Sequence, residues 1–267
     1  MHEVKHKGTR MALLFDIWLS MAILLLRSPR DQCADIIGGR ESIPHSRPYM
    51  AIINVGECGG TLIKPNWVLT AAHCKVGKNT KVILGAHSLK KAEPSKQNFA
   101  VTKWFRYPCF NEEAKDNDLM LLQLNSSAKI TKQVATVKLT RLATDIKTGT
   151  QCLVAGWGII RNGDKKPSDT LREVNVTVIE RRLCNDNKHY NSNPVITMNM
   201  VCAGDKKGGK DSCAGDSGGP LICNGVQKAV VSFGGKKSCG SEQFPGVYAL
   251  LRKAHLDWIR KTTGGDL

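Results

Sequence analysis

No segment of this sequence stays apolar for the roughly 20 residues a membrane-spanning helix needs. The cleanest apolar stretch, Ile17 to Leu26, falls far short. Long low-complexity tracts and fixed-period repeats are missing as well, which excludes collagen-like, solenoid and largely disordered chains. No Cys-x-x-Cys pair occurs among the ten cysteines, so structural zinc is disfavoured and neither a metal nor an organic cofactor is expected. Acids are scarce: 23 Asp and Glu stand against 39 Lys and Arg, for a formal net charge of +16. The leader to Asp35 holds five basic and four acidic residues, which leaves +15 on the remainder. Such an excess favours polyanionic partners such as sulfated proteoglycans, nucleic acid or acidic protein surfaces; a basic surface with no dedicated partner carries the same charge.

The 267 residues suffice for one large β domain or two compact halves. Short Val/Ile/Leu-rich runs at Val82 to Leu84, Leu119 to Leu124, Leu153 to Ala155, Val174 to Ile179 and Ala229 to Phe233 are separated by Gly, Pro, Asn and Lys. They read as mostly antiparallel strands. Basic residues up to Arg10, the apolar stretch and the polar Arg27 to Asp31 predict a secretory signal peptide over residues 1–33, with translation from Met1 or Met11. An exported chain meets an oxidising compartment, and its cysteines are expected to pair. Asn125-Ser126-Ser127 and Asn175-Val176-Thr177 are then glycosylation sequons. Near the end, Leu251, Ala254, His255 and Trp258 have the spacing of a short amphipathic helix, in which His255 is structural.

Three short motifs carry chemistry. Gly215-Asp216-Ser217-Gly218-Gly219-Pro220 seats a serine between glycines, whose backbone freedom can aim its hydroxyl into a cleft. Alone this is a modest signal, since Gly/Ser turns are common. Thr70-Ala71-Ala72-His73-Cys74 ends an apolar run on a histidine, the side chain that takes and returns a proton near neutral pH. Asp118 directly precedes four apolar residues, so its carboxylate enters a core where it can orient an imidazole, while Asp116 lies further out. The order His, Asp, Ser differs from that of subtilisins and α/β-hydrolases.

With Ile36-Ile37-Gly38-Gly39, these motifs resemble the chymotrypsin-like serine proteases. The resemblance covers Ile36 to Leu267 and implies an all-β fold of two packed six-stranded antiparallel barrels with a short C-terminal helix. It implies His73, Asp118 and Ser217 as catalytic residues, and the Gly215 and Ser217 N–H groups as the oxyanion hole. Asp211 at the floor of a primary pocket, with Ser232, Gly234 and Gly246 around it, implies cleavage after Lys or Arg; Ser232 is also expected to support Asp118. A liberated Ile36 ammonium is expected to pair with Asp216. The implied disulfides are Cys58 with Cys74, Cys152 with Cys223, Cys184 with Cys202 and Cys213 with Cys239, where arithmetic alone leaves 105 pairings of eight cysteines open.

Asp35 precedes Ile36 where a tryptically activated relative carries Arg or Lys. Residues 34–35 therefore resemble the activation dipeptide that a dipeptidyl peptidase removes from granule-stored relatives, which implies a protein secreted from cytoplasmic granules toward target cells. Cys109, in the aromatic stretch Trp104 to Phe110, is left unpaired. With Asp169 to Asn175 and the Cys184 to Cys202 region, it makes the chain look most like granzymes that form disulfide-linked homodimers. The alternative is a catalytically weak polyanion-binding defence protein on the same fold; a digestive or plasma enzyme is opposed by Asp35.

Overall fold

Short, mostly buried apolar runs build most of the strands, and antiparallel pairing closes them. In the computed structural model, which describes residues 36–235 and 239–265, the first half forms β1 (Arg40–Glu41), β2 (Met50–Ile53), β3 (Cys58–Lys64), β4 (Trp67–Thr70), β5 (Lys81–Leu84), β6 (Gln97–Arg106) and β7 (Met120–Leu124). The second half forms β8 (Gln151–Gly156), β9 (Arg172–Ile179), β10 (Met200–Gly204), β11 (Pro220–Cys223), β12 (Val226–Phe233) and β13 (Gly246–Leu250). The expected leader and activation dipeptide lie outside the described residues.

Strands β2-β3-β4-β7-β6-β5 form one closed barrel. Strands β8-β9-β10-β13-β12-β11 form a second, closed by β11 pairing with β8, while β1 adds outside it on β9. All these ladders are antiparallel. The structure is therefore the two-barrel all-β fold that the sequence predicts. On β9, Val174, Val176 and Val178 enter the second core while Asn175 between them is exposed, the period-two pattern of a strand with one buried face. Met50 and Ile52 of β2 meet Ala155, Trp157 and Leu171 in a separate apolar cluster joining the halves.

Among the described residues, two helices complete the fold. The four-residue α1 (Arg181–Cys184) was not expected from the sequence, being too short to show a period. The C-terminal α2 (Lys253–Thr263) starts after Leu251, which is buried in the core ahead of it. Leu256 and Ile259 of α2 pack into the core of the first barrel, although the helix follows the last strand of the second. Gly264, with φ of 72°, ends it in the left-handed conformation that a Cβ disfavours. Lys64 of β3 donates from Nζ to the carbonyls of Thr263 and Gly265, a cation where the helix dipole is negative. His255 is buried and structural: Nε2 faces Asn117 Oδ1 at 2.9 Å and the Arg252 N–H donates to Nδ1 at 3.1 Å.

Four disulfides join Cys58 to Cys74, Cys152 to Cys223, Cys184 to Cys202 and Cys213 to Cys239, the pairings the resemblance implies. Cys109 is free and exposed. The aromatic stretch before it is not all loop: Trp104 and Phe105 end β6, partly exposed, and Tyr107 packs edge-on against His255 and Trp258.

Candidate active site

His73 follows β4 by three residues and is held beside the Cys58–Cys74 bridge. Asp118 immediately precedes the buried run entering β7 and is fully buried. Its Oδ1 accepts the His73 backbone N–H at 2.9 Å, and its Oδ2 lies 2.6 Å from His73 Nδ1. Ser232 Oγ donates to the same Oδ2 at 2.5 Å. A carboxylate accepts only, so Nδ1 carries the hydrogen and Nε2 is left as the basic atom. Three donors also solve the problem of burying a carboxylate, which without them costs several kcal/mol.

Ser217 arrives from the second barrel on the loop before β11. Its carbonyl accepts the Gly59 N–H at 2.8 Å, tying this loop to β3. Gly218, at φ of 84°, leaves no room for a side chain: a Cβ there would collide with Thr70 Oγ1 and the Gly59 carbonyl. The tight turn thus depends on glycine chemistry. Ser217 is half-buried and lines two adjoining cavities. One, of about 520 Å³, is also lined by His73, Gly215, Lys75 and Lys165. The other, of about 350 Å³, is lined by Ser212, Cys213, Ser232, Gly234 and Cys239. The Gly215 and Ser217 N–H groups donate to no other group among the described residues.

Asp211 sits behind the second cavity. It is 1% exposed, its Oδ2 accepts the Gly240 N–H at 3.0 Å, and its Oδ1 has no hydrogen-bond partner among the described residues. Burial pushes its carboxyl up to about 7, against the Gly240 and Ser212 hydrogen bonds. Gly246 makes this floor possible, because a Cβ there would overlap Asp211 Oδ1. A buried carboxyl with one unpartnered oxygen keeps unused capacity to accept hydrogen bonds from a cationic donor.

Asp216 is fully buried and accepts the Gly158 N–H at 2.8 Å and the Cys213 N–H at 2.9 Å. Burial raises its carboxyl to about 6 against those two bonds. Ile36 is also fully buried, within the core of the second barrel, and the Ile37 carbonyl accepts the Asp211 N–H at 3.2 Å. Both sequon asparagines, Asn125 and Asn175, are exposed. Asp116, expected further out, accepts Thr197 Oγ1 and Asn199 Nδ2 and so bridges the halves behind the site.

Sequence reasoning missed Glu173, a buried carboxylate on the outer face of β9. Strand alternation places it opposite Val174 and predicts exposure; what covers it is the distant segment from Arg40 to Arg47. No local pattern signals such a contact.

Residues 36–259 match the family model described as Trypsin. The chain is 52% identical to granzyme A of Bos taurus over 236 residues, covering 88% of this chain and 90% of that protein. It is 40% identical to granzyme B(G,H) of Mus musculus over 250 residues, covering 91% and 97%. It is also 40% identical to duodenase-1 of Bos taurus over 252 residues, covering 91% and 95%.

Proposed function

The chain belongs to the trypsin family of serine proteases, and from that premise we propose that it is a granzyme A-like endopeptidase that cuts after Lys or Arg. The observation that supports the specificity is Asp211, buried with one oxygen unpaired, next in sequence to Ser212 and packed near Gly234, both of which line a cavity that Ser217 also lines. In this reading the substrate's basic side chain enters the slot and gives Asp211 its missing hydrogen bonds. That seats the next carbonyl against Ser217 Oγ and the Gly215 and Ser217 N–H groups.

Ser217 Oγ then attacks the carbonyl carbon while His73 Nε2 takes its proton, and Asp118 steadies the imidazolium through Nδ1. Collapse of the tetrahedral oxyanion breaks the C–N bond, and the proton passes from His73 to the leaving amine. Water repeats the sequence in reverse and frees the acid and Ser217. Each oxyanion donor contributes on the order of 100- to 1000-fold to the rate.

Activation in this reading is removal of Ala34-Asp35 by a dipeptidyl peptidase. The new Ile36 ammonium supplies Asp216 with the cation its buried carboxylate lacks. Likeness to granzyme A supports storage in secretory granules and release toward target cells; the charge supports sulfated proteoglycan as a storage partner, and exposed Cys109 supports a disulfide-linked homodimer. Retention of both His73 and Ser217 favours this reading over a catalytically weak polyanion-binding protein.

The test is Asp211→Asn in the Ile36-initiated protein. We expect kcat/KM for arginine and lysine substrates to fall by about a hundredfold or more, the cost of leaving a buried cation without its partner. An unchanged value removes Asp211 from the specificity site.

A further inference from the structure

Glu173 is 3% exposed, and both of its oxygens are occupied by donors from one short segment. Oε1 accepts Arg40 Nε at 3.2 Å and Arg40 Nη2 at 3.0 Å; Oε2 accepts Ser42 Oγ at 2.9 Å and Arg47 Nε at 3.1 Å, with Arg47 Nη2 at 3.0 Å. Among the described residues no other side chain bonds this carboxylate. The same segment is strapped down around it. Arg40 and Glu41 pair with Glu173 and Arg172 as β1, the Leu171 carbonyl accepts the Ser42 N–H at 2.9 Å, and Glu41 reaches His87 Nε2 at 2.9 Å and Arg172 Nη1 at 3.2 Å. This segment begins four residues after Ile36, whose side chain fills the second core.

We infer that Glu173 is a positioning residue for activation, an ionic anchor that holds the new N-terminus inserted so that Ile36 stays beside Asp216. The inference rests on the activation reading above. Lifting the segment away removes all of these donors from Glu173 at once, so the docked state gains the whole set cooperatively, and those bonds offset the cost of desolvating the carboxylate on docking. Two ladder residues in β1 are too few to hold an edge strand alone. The carboxyl is buried, which raises its pKa, but Ser42, Arg40 and Arg47 more than offset this and hold it below the usual range. The anchor is therefore charged throughout the neutral range.

The test measures insertion directly, through the rate at which cyanate carbamylates the Ile36 α-amine at pH 8, read by mass spectrometry of the N-terminal peptide. An inserted ammonium is protected, and the labelling rate follows the fraction released. Glu173→Gln is expected to label about tenfold faster than wild type, the size of effect set by losing charge-assisted hydrogen bonds. Its alkaline loss of activity should move down by about one pH unit, since a tenfold weaker insertion is one unit of the ammonium's pKa. Ser42→Ala, which keeps the carboxylate and both arginines, should label about threefold faster and decides the matter if Glu173→Gln does not fold. Asp145→Asn, which loses its ion pair with Arg181 elsewhere on the second half, should match wild type. Labelling of Glu173→Gln or Ser42→Ala at the wild-type rate overturns the inference. A wild-type amine that is protected in a protein without peptidase activity sinks the proposed function and leaves the anchor standing.

Discussion

In the proposed pocket, Asp211 would couple occupancy to pH. Its carboxyl sits at about 7 because burial disfavours the charge, whereas an unfolded aspartate ionises near 4. With the folded value raised, the native state binds the extra proton between about pH 4 and 7, and the stability this gives is lost as pH rises through 7. A bound aryl amidine reverses the sign, since it needs the ionised form and expels the proton. Benzamidine affinity, measured by calorimetry, should therefore fall as pH drops from 8 to 6, approaching tenfold per pH unit below 7. Affinity that is flat with pH argues that Asp211 is already ionised or untouched by the ligand. The identity of this residue was legible in Lys210-Asp211-Ser212-Cys213 only through family resemblance. Its unpaired Oδ1 and its dependence on Gly246 were not legible, because both arise where strand β13 passes behind the slot.

At the scale of elements, local patterns and distant contacts divide the work. The strands around Val174 to Ile179 and Ala229 to Phe233 were legible as short runs rich in apolar and β-branched residues, with period two showing in the first alone. The closure of each barrel and the inward turn of Ile36 were legible only through the resemblance, and the burial of Glu173 not at all, because these contacts join residues from tens to more than a hundred positions apart. The N-terminal element makes this concrete. Asp216 stands raised to about 6 by burial, so with no cation beside it the folded state loses stability as pH rises from about 4 to 6. Liberating the Ile36 ammonium should remove that loss. The melting temperature of the Ile36-initiated protein should exceed that of protein retaining Ala34-Asp35 at pH 7.5, with the gap narrowing at pH 5 as Asp216 protonates. Calorimetry in both buffers checks this; an equal gap at the two values argues against a charge pair at Asp216.

At the scale of the whole molecule, Cys109 lies exposed beside the partly exposed ends of β6, where Trp104 and Phe105 present apolar surface. In the dimer proposed above, a second copy would cover that face. Wild-type mature protein should run at twice the monomer mass in non-reducing electrophoresis, and Cys109→Ser at the monomer mass; a wild-type band at monomer size defeats the dimer. The two-barrel architecture itself brings His73 and Asp118 from one half against Ser217 and Asp211 from the other. Ser232 of the second barrel bonds Asp118 of the first, so the halves are joined at Asp118 itself.

The most direct measurement is a burst titration of the Ile36-initiated protein with a chromogenic arginine ester. A serine that forms an acyl intermediate releases close to one equivalent of alcohol per folded chain before steady turnover, and Ser217→Ala releases none, its turnover lower by about five to six orders of magnitude. A folded wild-type protein that gives neither burst nor turnover, or a Ser217→Ala protein that keeps both, contradicts the account.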